Sequence, residues 1–373
     1  MQNSFQNLVF SIQDKSCQLV VAITGGGTEV IGELLRYGGG SKTLSEAVVP
    51  YSQPSFDSFV KGKPDKYCSI TAARDLAMAS FQRAIFLNPN SPLDKLIGLG
   101  ATSSLAKEAE RAGREHKIHI AVQTADKTFS FSPSLADVFG RLDQETKTAE
   151  FILKMIAFSC GIETDLSEVD IFQADKSVCD VVLGFEKLTS KNIQNALDSS
   201  KDRIIFSGAF NPIHEHHISM IEKIKEIKSC PVDLELCVRN VDKPALNYKE
   251  IDNRLKFIEN LNLDCIEKIH LTGCSTFAEK SKCFSECSFL VGWDTLVRIC
   301  DPKYGKLDEV IDCFKNNRIK FLVFHRISNG ESTEKESLDK IHPQILEISE
   351  FFGSDVLNPS DISSTKIRKG EQE

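Results

Sequence analysis

A ten-residue stretch that begins at Gly208 holds side chains able to act on a phosphate: Gly208-Ala-Phe-Asn-Pro-Ile-His-Glu-His-His217. The mostly apolar segment Arg203–Ser207 before it predicts a strand, and the residue spacing over 217–228 predicts a helix. A first strand that runs into a first helix is the place where a doubly wound sheet binds a nucleotide. The sequence therefore predicts a nucleotide site at this junction.

Two histidines in this stretch are the candidate catalytic groups. His214 and His217 are three residues apart at a helix start, so both rings can share one face near the N–H groups that favour an anion. Imidazolium donors there would stabilise the charge that develops on a phosphate during nucleotidyl transfer. Gly208 would let the backbone approach the ligand, and Asn211-Pro212 turns the chain. The alternative is that both histidines simply lie on the surface.

A second segment near the end of the chain, Asp361-Ile-Ser-Ser-Thr-Lys-Ile-Arg368, also fits a polyphosphate. Its three consecutive hydroxyl residues would present hydroxyls and helix N-terminal amides, and Arg368 would act as a bidentate clamp. Taken alone, such a segment is a common helix cap. Together with the first stretch it favours a phosphate site.

The two motifs resemble those of the nicotinamide/nicotinate mononucleotide adenylyltransferases, members of the HxGH nucleotidylyltransferase superfamily. That family has G-x-F-N-P-x-H-x-x-H early in its fold and I-S-S-T-x-I-R at its end, and the resemblance spans residues 203–370. Phe289-Leu-Val-Gly-Trp-Asp-Thr295 is similar to the family's central V-G-x-D segment. The glycine of H-x-G-H is His216 here, and its side chain could crowd the substrate, although eukaryotic members also lack that glycine.

The resemblance implies a role for each matching residue. His214 and His217 would contact the ATP phosphates, Arg368 would complete the catalytic set, and Gly292 and Asp294 would hold the ATP ribose. The other residues expected to bind ATP or substrate are Gly208, Ala209, Phe210, Asn211, Lys243, Ser363, Ser364 and Thr365. Lys243 is equally well explained as a solvated loop lysine.

The implied reaction is attack of a pyridine mononucleotide's 5′-phosphate on the α-phosphorus of ATP, with pyrophosphate leaving together with Mg²⁺. Positioning and charge stabilisation carry such a transfer, so no covalent intermediate is required. We expect ATP and nicotinamide or nicotinate mononucleotide as ligands, and no protein-bound metal. Two alternatives stay open: transfer to another phosphate, such as a phosphopantetheine- or choline-type substrate, and a non-catalytic nucleotide-binding or scaffold protein.

The N-terminal half, over residues 15–162, resembles more faintly the CinA C-terminal domain, the fold of nicotinamide mononucleotide deamidases. The family's E-S-C-T-G-G corresponds to Val21-Ala-Ile-Thr-Gly-Gly26, and its Y-S-N-x-x-K corresponds to Tyr51-Ser-Gln-Pro-Ser-Phe56. The nucleophilic serine thus falls on Ala22 and its lysine partner on Phe56, and neither can do that chemistry. We expect a fold that has lost this activity. Alternatively, the glycines are only turns, or a shifted alignment makes Thr24 the nucleophile.

Strand-like and helical runs alternate in both halves, which predicts two α/β domains. In the first half we expect strands at 19–23, 47–51, 95–100 and 118–123, and helices at 29–36, 70–85 and 146–162. In the second half we expect a Rossmann-like parallel sheet, with strands at 203–207, 232–238, 289–292 and 319–324 and helices at 217–228 and 248–261. The polar segment 188–200 predicts a surface helix or linker.

These elements predict three parts: a CinA-like domain at 1–165, a linker or extension at 166–202 and a nucleotidylyltransferase domain at 203–373. By resemblance, we expect a homodimer formed through the first domain. Residues 1–200 carry 20 basic and 24 acidic residues and residues 201–373 carry 25 and 29, so neither half is basic and nucleic acid is not expected as a partner.

The start of the chain and its cysteines bear on the compartment. Met1–Asn7 has no basic n-region, and no apolar run approaches about 18 residues, so we expect neither a signal peptide nor a membrane span. The 12 cysteines are scattered without a C-x-x-C pair, which makes zinc a poor fit and suits a reducing compartment. We expect a cytoplasmic protein.

Overall fold

A computed structural model of the chain describes residues 2–106, 115–192, 203–239, 246–325, 327–328, 331–333, 338–357, 360, 362–368 and 370. Its contacts divide into two compact units. The first consists of Met1–Cys179 and Asp242–Lys249, and the second of Asp180–Val241 and Glu250–Glu373. No helix in the described part of the chain is long and apolar enough to cross a membrane.

The first unit is built on a six-stranded mixed sheet. Its helices and strands are, in chain order, α1 (Gln2–Asp14), β1 (Gln18–Thr24), α2 (Glu29–Arg36), β2 (Leu44–Val48), α3 (Gln53–Val60), α4 (Ile70–Leu87), β3 (Leu96–Ser104), β4 (Lys117–Gln123), β5 (Lys127–Phe131), α5 (Arg141–Ser159) and β6 (Asp170–Gln173). The strand order is β2-β1-β3-β4-β5-β6. β1 runs parallel to β2 and β3, and every later pair in this sheet is antiparallel.

Two glycines on β3 bring α4 directly onto the sheet. A Cβ at Gly98 would lie 2.1 Å from the backbone nitrogen of Phe81, and one at Gly100 would lie 2.2 Å from the carbonyl oxygen of Ala73. Ser69 begins the helix as predicted, because its hydroxyl accepts the Ala72 N–H at 3.1 Å. These two glycines therefore serve helix–sheet packing.

The second unit is built on a seven-stranded sheet. The elements that follow along the chain are α6 (Lys176–Leu183), β7 (Leu188–Asn192), β8 (Arg203–Gly208), α7 (Glu215–Lys228), β9 (Val232–Cys237), α8 (Tyr248–Asn260), β10 (Ile266–Thr272), α9 (Phe277–Cys283), β11 (Cys287–Gly292), α10 (Trp293–Ile299), α11 (Leu307–Asn316), β12 (Lys320–Phe324), β13 (Ile327–Ser328), β14 (Glu331–Ser332), α12 (Pro343–Leu346), β15 (Ser349–Phe352) and α13 (Ser364–Arg368). β13 and β14 form a separate two-stranded ladder.

The strand order of the larger sheet confirms the predicted Rossmann-like fold. The order is β15-β12-β11-β8-β9-β10-β7, and the strands are parallel except that β7 is antiparallel to β10. Counted along the chain from β8, the six parallel strands follow the doubly wound order 3-2-1-4-5-6. The order reverses between β8 and β11, where such sheets bind ligands. Leu290 pairs with Phe206 there, so Gly208 and Gly292 both lie at the carboxyl edge.

Apolar layers cover both faces of this sheet. On one face, Ile204 and Phe206 of β8 pack with Ile221 of α7. On the other, Ile205 packs with Phe289 of β11 and with apolar residues of α10 and α11. Because successive residues of a strand point to opposite faces, Ser207 lies on the same side as Ile205.

Several predicted elements need correction. The strand expected at 47–51 lies at Leu44–Val48, and the helix expected at 146–162 is Arg141–Ser159. The helix or linker expected at 188–200 is wrong for Leu188–Asn192, which forms the edge strand β7; residues 193–200 lie outside the described part. β6 likewise falls within the predicted linker. The domain boundaries themselves stay predictions.

Candidate active site

The ten-residue stretch joins the predicted strand to the predicted helix. β8 ends at Gly208, and His214 is the N-cap residue of α7. Between them, Phe210 has a left-handed φ of 43°. A Cβ at Gly208 would lie 2.7 Å from the Phe210 ring, so glycine lets that ring fold back over the strand end.

The two histidines meet as the three-residue spacing predicts. The His214 and His217 ring centroids are 3.7 Å apart with the planes 24° from parallel, and Phe206 and Phe210 each contact the His217 ring at 5.6 Å. The His214 backbone N–H donates to Nδ1 of His217 (3.3 Å), which assigns the proton of the neutral His217 ring to Nε2.

The surroundings of His214 distinguish it from a surface histidine. His214 is only 9% exposed. Its Nδ1 atom is buried and has no hydrogen-bond partner among the described residues. A buried polar atom without a partner is uncommon and calls for an explanation such as a ligand. At the first turn of α7, where backbone N–H groups face outward, an anionic ligand fits best.

The protonation state of the pair differs from the sequence-based expectation. Burial lowers the pKa of His214 to about 4, with repulsion from His216 as the second cause. Burial also lowers the pKa of His217 to about 3, with repulsion from His214 and then His216 adding to it. Both rings are therefore neutral at pH 7 in this structure, and the expected imidazolium donors are instead neutral N–H donors.

α13 brings the second motif to the same loop. The Ser364 hydroxyl donates to the Pro212 carbonyl (2.8 Å), and Nη1 of Arg368 donates to the Asn211 carbonyl (2.5 Å). These pairs are separated by 152 and 157 residues along the chain. Two motifs from opposite ends of the unit thus meet at one loop.

Residues 205–370, which carry both motifs, match the family model described as cytidylyltransferase-like. Residues 205–370 form a cytidylyltransferase-like domain. This finding confirms the resemblance of the C-terminal half to nucleotidylyltransferases.

Two curated relatives extend this comparison. The chain is 29% identical over 162 residues to "Putative nicotinamide mononucleotide adenylyltransferase" of Schizosaccharomyces pombe, a match that covers 40% of this chain and 64% of that protein. It is 25% identical over 185 residues to "Probable nicotinate-nucleotide adenylyltransferase" of Clostridium acetobutylicum, covering 45% of this chain and 86% of that protein. The chain thus spans slightly under two thirds of the yeast relative.

Solved structures of CinA proteins are similar to the N-terminal part. The competence/damage inducible protein CihA from Agrobacterium tumefaciens is 14% identical with a TM-score of 0.36, covering 42% of this chain and 94% of that one. A CinA superfamily protein from Escherichia coli is 13% identical with a TM-score of 0.31, covering 42% of this chain and 87% of that one.

Within the cytidylyltransferase-like domain, Gly292 stands at the strand end beside Gly208. It is the N-cap residue of α10, and a Cβ built on it would meet no atom within 4 Å. Asp294 lies in the first turn of the same helix. Open space beside a glycine at the switch point is what close approach of a ligand requires.

The remaining predicted residues fall into three groups. Ser363 accepts the Lys366 N–H (3.2 Å) and so caps α13. His216 lies in the first helical turn of α7, where the backbone does not require glycine. Lys243 lies outside the described residues, as does the side chain of Thr365.

Sequence reasoning missed one arginine that holds the loop. Nη1 of Arg254 donates to the Ala209 carbonyl (2.9 Å), while its guanidinium pairs with Glu250 at 2.8 Å. The Arg254 side chain is only 11% exposed. The sequence signal was the four-residue spacing of Glu250 and Arg254 on one helix, which by itself is common.

In the first unit, the positions that resemblance assigns to a nucleophile and its lysine partner lie together in a hydrophobic cluster. Ala22 and Phe56 are 0% and 1% exposed, and they share this cluster with Val60, Ala72 and Leu76. Ser52, beside them in the motif, caps α3 by accepting the Ser55 N–H at 3.3 Å. Apolar side chains therefore occupy the positions that the resemblance assigns to the nucleophile and its lysine partner.

The glycine loop of the first unit is filled by protein atoms. A Cβ at Gly25 would lie 1.9 Å from the Ser103 carbonyl oxygen, and one at Gly26 would lie 2.3 Å from Leu105. The Glu145 carboxylate accepts the Thr28 hydroxyl at 3.1 Å, directly before α2. A carboxylate beside this helix N-terminus disfavours a phosphate there.

Proposed function

We propose that the chain transfers AMP from ATP to nicotinamide or nicotinate mononucleotide and releases pyrophosphate. The observation that carries this proposal is the stacked, buried histidine pair at the switch point, with the Nδ1 atom of His214 left without a partner. The names of the two relatives support a pyridine mononucleotide as the acceptor.

In this proposal the residues act by holding charge in place. His214 and His217 present neutral N–H groups to the ATP phosphates at the first turn of α7. Arg368, whose guanidinium already reaches the Asn211 carbonyl, adds a charged donor to the same loop. Preorganised donors of this kind stabilise charge as it develops, and no covalent intermediate is needed.

The strand ends supply the rest of the proposed site. Gly292 leaves open space for the nucleotide, while Gly208 admits the Phe210 ring at the neighbouring strand end, and Asp294 would hold the ribose. Mg²⁺ would enter with ATP and neutralise the leaving pyrophosphate. We further propose that the first unit has no deamidase activity, because apolar residues occupy the two reactive positions; its homodimerisation and a cytoplasmic location stay predictions.

The test uses the purified full-length chain with ATP, Mg²⁺ and each mononucleotide in turn. Dinucleotide is measured by chromatography and pyrophosphate by a coupled assay, and we expect the two in equal amounts. ATP binding without turnover would instead favour the non-catalytic alternative. Pyrophosphate release only with a phosphopantetheine- or choline-type phosphate would favour the other substrate class.

A further inference from the structure

A buried charged cluster lies beneath the end of β8, outside the residues already assigned to the site. It consists of Ser207, Glu235, Thr272 and Lys280, and we call it the buried quartet. Glu235 and Thr272 are fully buried, and Lys280 is 6% exposed. Three of its members come from neighbouring strands, β8, β9 and β10, and the fourth comes from α9.

The quartet is closed by hydrogen bonds on every side of the Glu235 carboxylate. Nζ of Lys280 donates to Oε2 of Glu235 (2.8 Å) and to the Ser207 hydroxyl (2.6 Å). The Ser207 hydroxyl donates in turn to the same Oε2 at 2.5 Å, and the Thr272 hydroxyl donates to Oε1. A single carboxylate thus ties three parallel strands together near their carboxyl ends.

Lys280 keeps its proton despite its burial. Desolvation alone would lower the pKa of Lys280, but the Glu235 charge outweighs it and raises the pKa above the ordinary value. Cys237 beside the pair is kept as a neutral thiol, since burial raises its pKa to about 11. A buried ion pair of this kind is weak as a source of stability, because desolvation offsets much of the attraction.

The position of the quartet indicates a role other than stabilising the fold. Ser207 directly precedes Gly208, the Phe210 ring folds over Gly208, and the His217 ring packs on Phe210. A continuous chain of contacts therefore leads from Lys280 to the histidine pair. Positional shifts of about 1 Å in such a chain can cost about a hundredfold in rate.

We propose that Lys280 and Glu235 are positioning residues for the nucleotidyl transfer: they fix the Ser207–Gly208 strand end and, through Phe210, the place of His217. This inference rests on the proposed function. The ion pair would thus affect catalysis although it does not touch the substrate.

The fold offers a matched control on the same strands. Asp233 lies two residues before Glu235 on β9 and is also buried and charged, with His270 and Arg203 each 3.0 Å from its Oδ2. Alternate residues of a strand share a face, so Asp233→Asn removes a buried carboxylate from the same face one step further from the site. A merely structural role would make Asp233→Asn and Glu235→Gln behave alike.

The experiment compares full-length wild type, E235Q, D233N and the double variant K280M/E235Q. Unfolding midpoints, kcat and KM are measured with ATP, Mg²⁺ and the preferred mononucleotide. We expect kcat to fall about tenfold or more in E235Q and K280M/E235Q with KM changed less than about threefold, whereas D233N keeps kcat within about threefold. The double variant leaves no unpaired buried charge and so keeps the comparison valid if E235Q alone, which leaves Lys280 without its carboxylate partner, does not fold.

Each outcome decides the inference. A low kcat in the folded double variant beside a near-normal kcat in D233N supports it. Wild-type kcat in K280M/E235Q, or equal losses in E235Q and D233N, overturns the positioning role while leaving the proposed function intact. A wild-type protein that makes no dinucleotide with either mononucleotide overturns the proposed function and this inference with it.

Discussion

The two glycine-containing strand–helix junctions of this chain look alike in sequence and differ in what surrounds them. In the first unit, the space beside Gly25 and Gly26 is taken by Ser103, Leu105 and the Glu145 carboxylate. In the second unit, the Phe210 ring takes the space beside Gly208 at the β8–α7 junction, whereas the space beside Gly292, at the end of the neighbouring strand β11, is open. Glycine alone therefore does not indicate a ligand.

The difference lies in the polar groups as much as in the glycines. Buried polar atoms without a hydrogen-bond partner among the described residues occur at both junctions: Oγ of Ser103 and Oε2 of Glu145 at the first, and Nδ1 of His214 at the second. At the first junction, the Glu145 carboxylate accepts the Thr28 hydroxyl beside the helix start and disfavours a phosphate there. At the second, two stacked histidine rings stand at the first turn of α7. The charge of the groups around a turn therefore indicates a phosphate site better than the turn itself.

The largest effect is expected at His217, and two substitutions separate its two ring nitrogens. His217→Asn keeps an acceptor near Nδ1 for the His214 N–H but removes the Nε2 donor, so kcat/KM should fall about a hundredfold. His217→Gln retains a donor near Nε2 and should lose less. Steady-state assays of both variants test this, with His119→Ala in the first unit as control. Equal losses in the two variants would contradict a donor role for Nε2.

One glycine-to-alanine substitution in each unit tests the difference in packing. Gly25→Ala places a methyl against the Ser103 carbonyl at a φ of +85°, and the free energy of unfolding should fall by about 3 kcal/mol. Gly292→Ala meets no atom and should leave stability within about 0.5 kcal/mol while weakening ATP binding. Urea unfolding and calorimetric ATP titration give both quantities. Unchanged ATP affinity in Gly292→Ala would remove Gly292 from the site.

A smaller loss is expected at Arg368, because its replacement by lysine keeps the charge. Arg368→Lys should reduce kcat/KM by about tenfold, since lysine lacks the planar fork that matches a phosphate. Arg318→Lys is the matched control, an exposed arginine paired with Glu286 at 2.6 Å. Equal activities in the two variants would show that the guanidinium of Arg368 is not used.

The last prediction concerns stability and pH. The pKa of His217 is about 3 in the folded chain against 6.5 for an ordinary histidine, so the unfolded chain binds more protons between these values. Its contribution to stability is complete above pH 6.5 and is lost as the pH falls, by at most about 1.4 kcal/mol per pH unit. His217→Asn should flatten the fall in unfolding midpoint from pH 7.5 to pH 5. A fall as steep as in wild type would contradict burial of a neutral ring.

Local pattern was enough to predict much of the fold. The helix at Glu29–Arg36 has the predicted bounds, and β8 and α7 lie where apolar spacing and the histidine motif place them. β10 was missed because Glu267, Lys268 and His270 interrupt its apolar pattern. β7 was missed because a polar edge strand is defined by its partner across the sheet rather than by its own composition.

The candidate site likewise has contacts that local sequence spacing predicts and contacts that it does not. The meeting of His214 and His217 follows from a three-residue spacing, which one helix turn enforces. Arg254 and Lys280 reach the loop and its strand from 45 and 73 residues away, and no local spacing signals such contacts. The low pKa values of the histidines also depend on burial, which only the assembled fold determines.

The most direct test of the contrast between the two junctions is one incubation of the full-length chain with ATP, Mg²⁺ and nicotinamide mononucleotide. Dinucleotide is followed by chromatography and ammonia by a coupled assay in the same sample. We predict dinucleotide formation that continues until substrate is consumed, with ammonia at the uncatalysed background. Ammonia release without dinucleotide would contradict the account, because it would place the chemistry in the packed junction and none at the histidine pair.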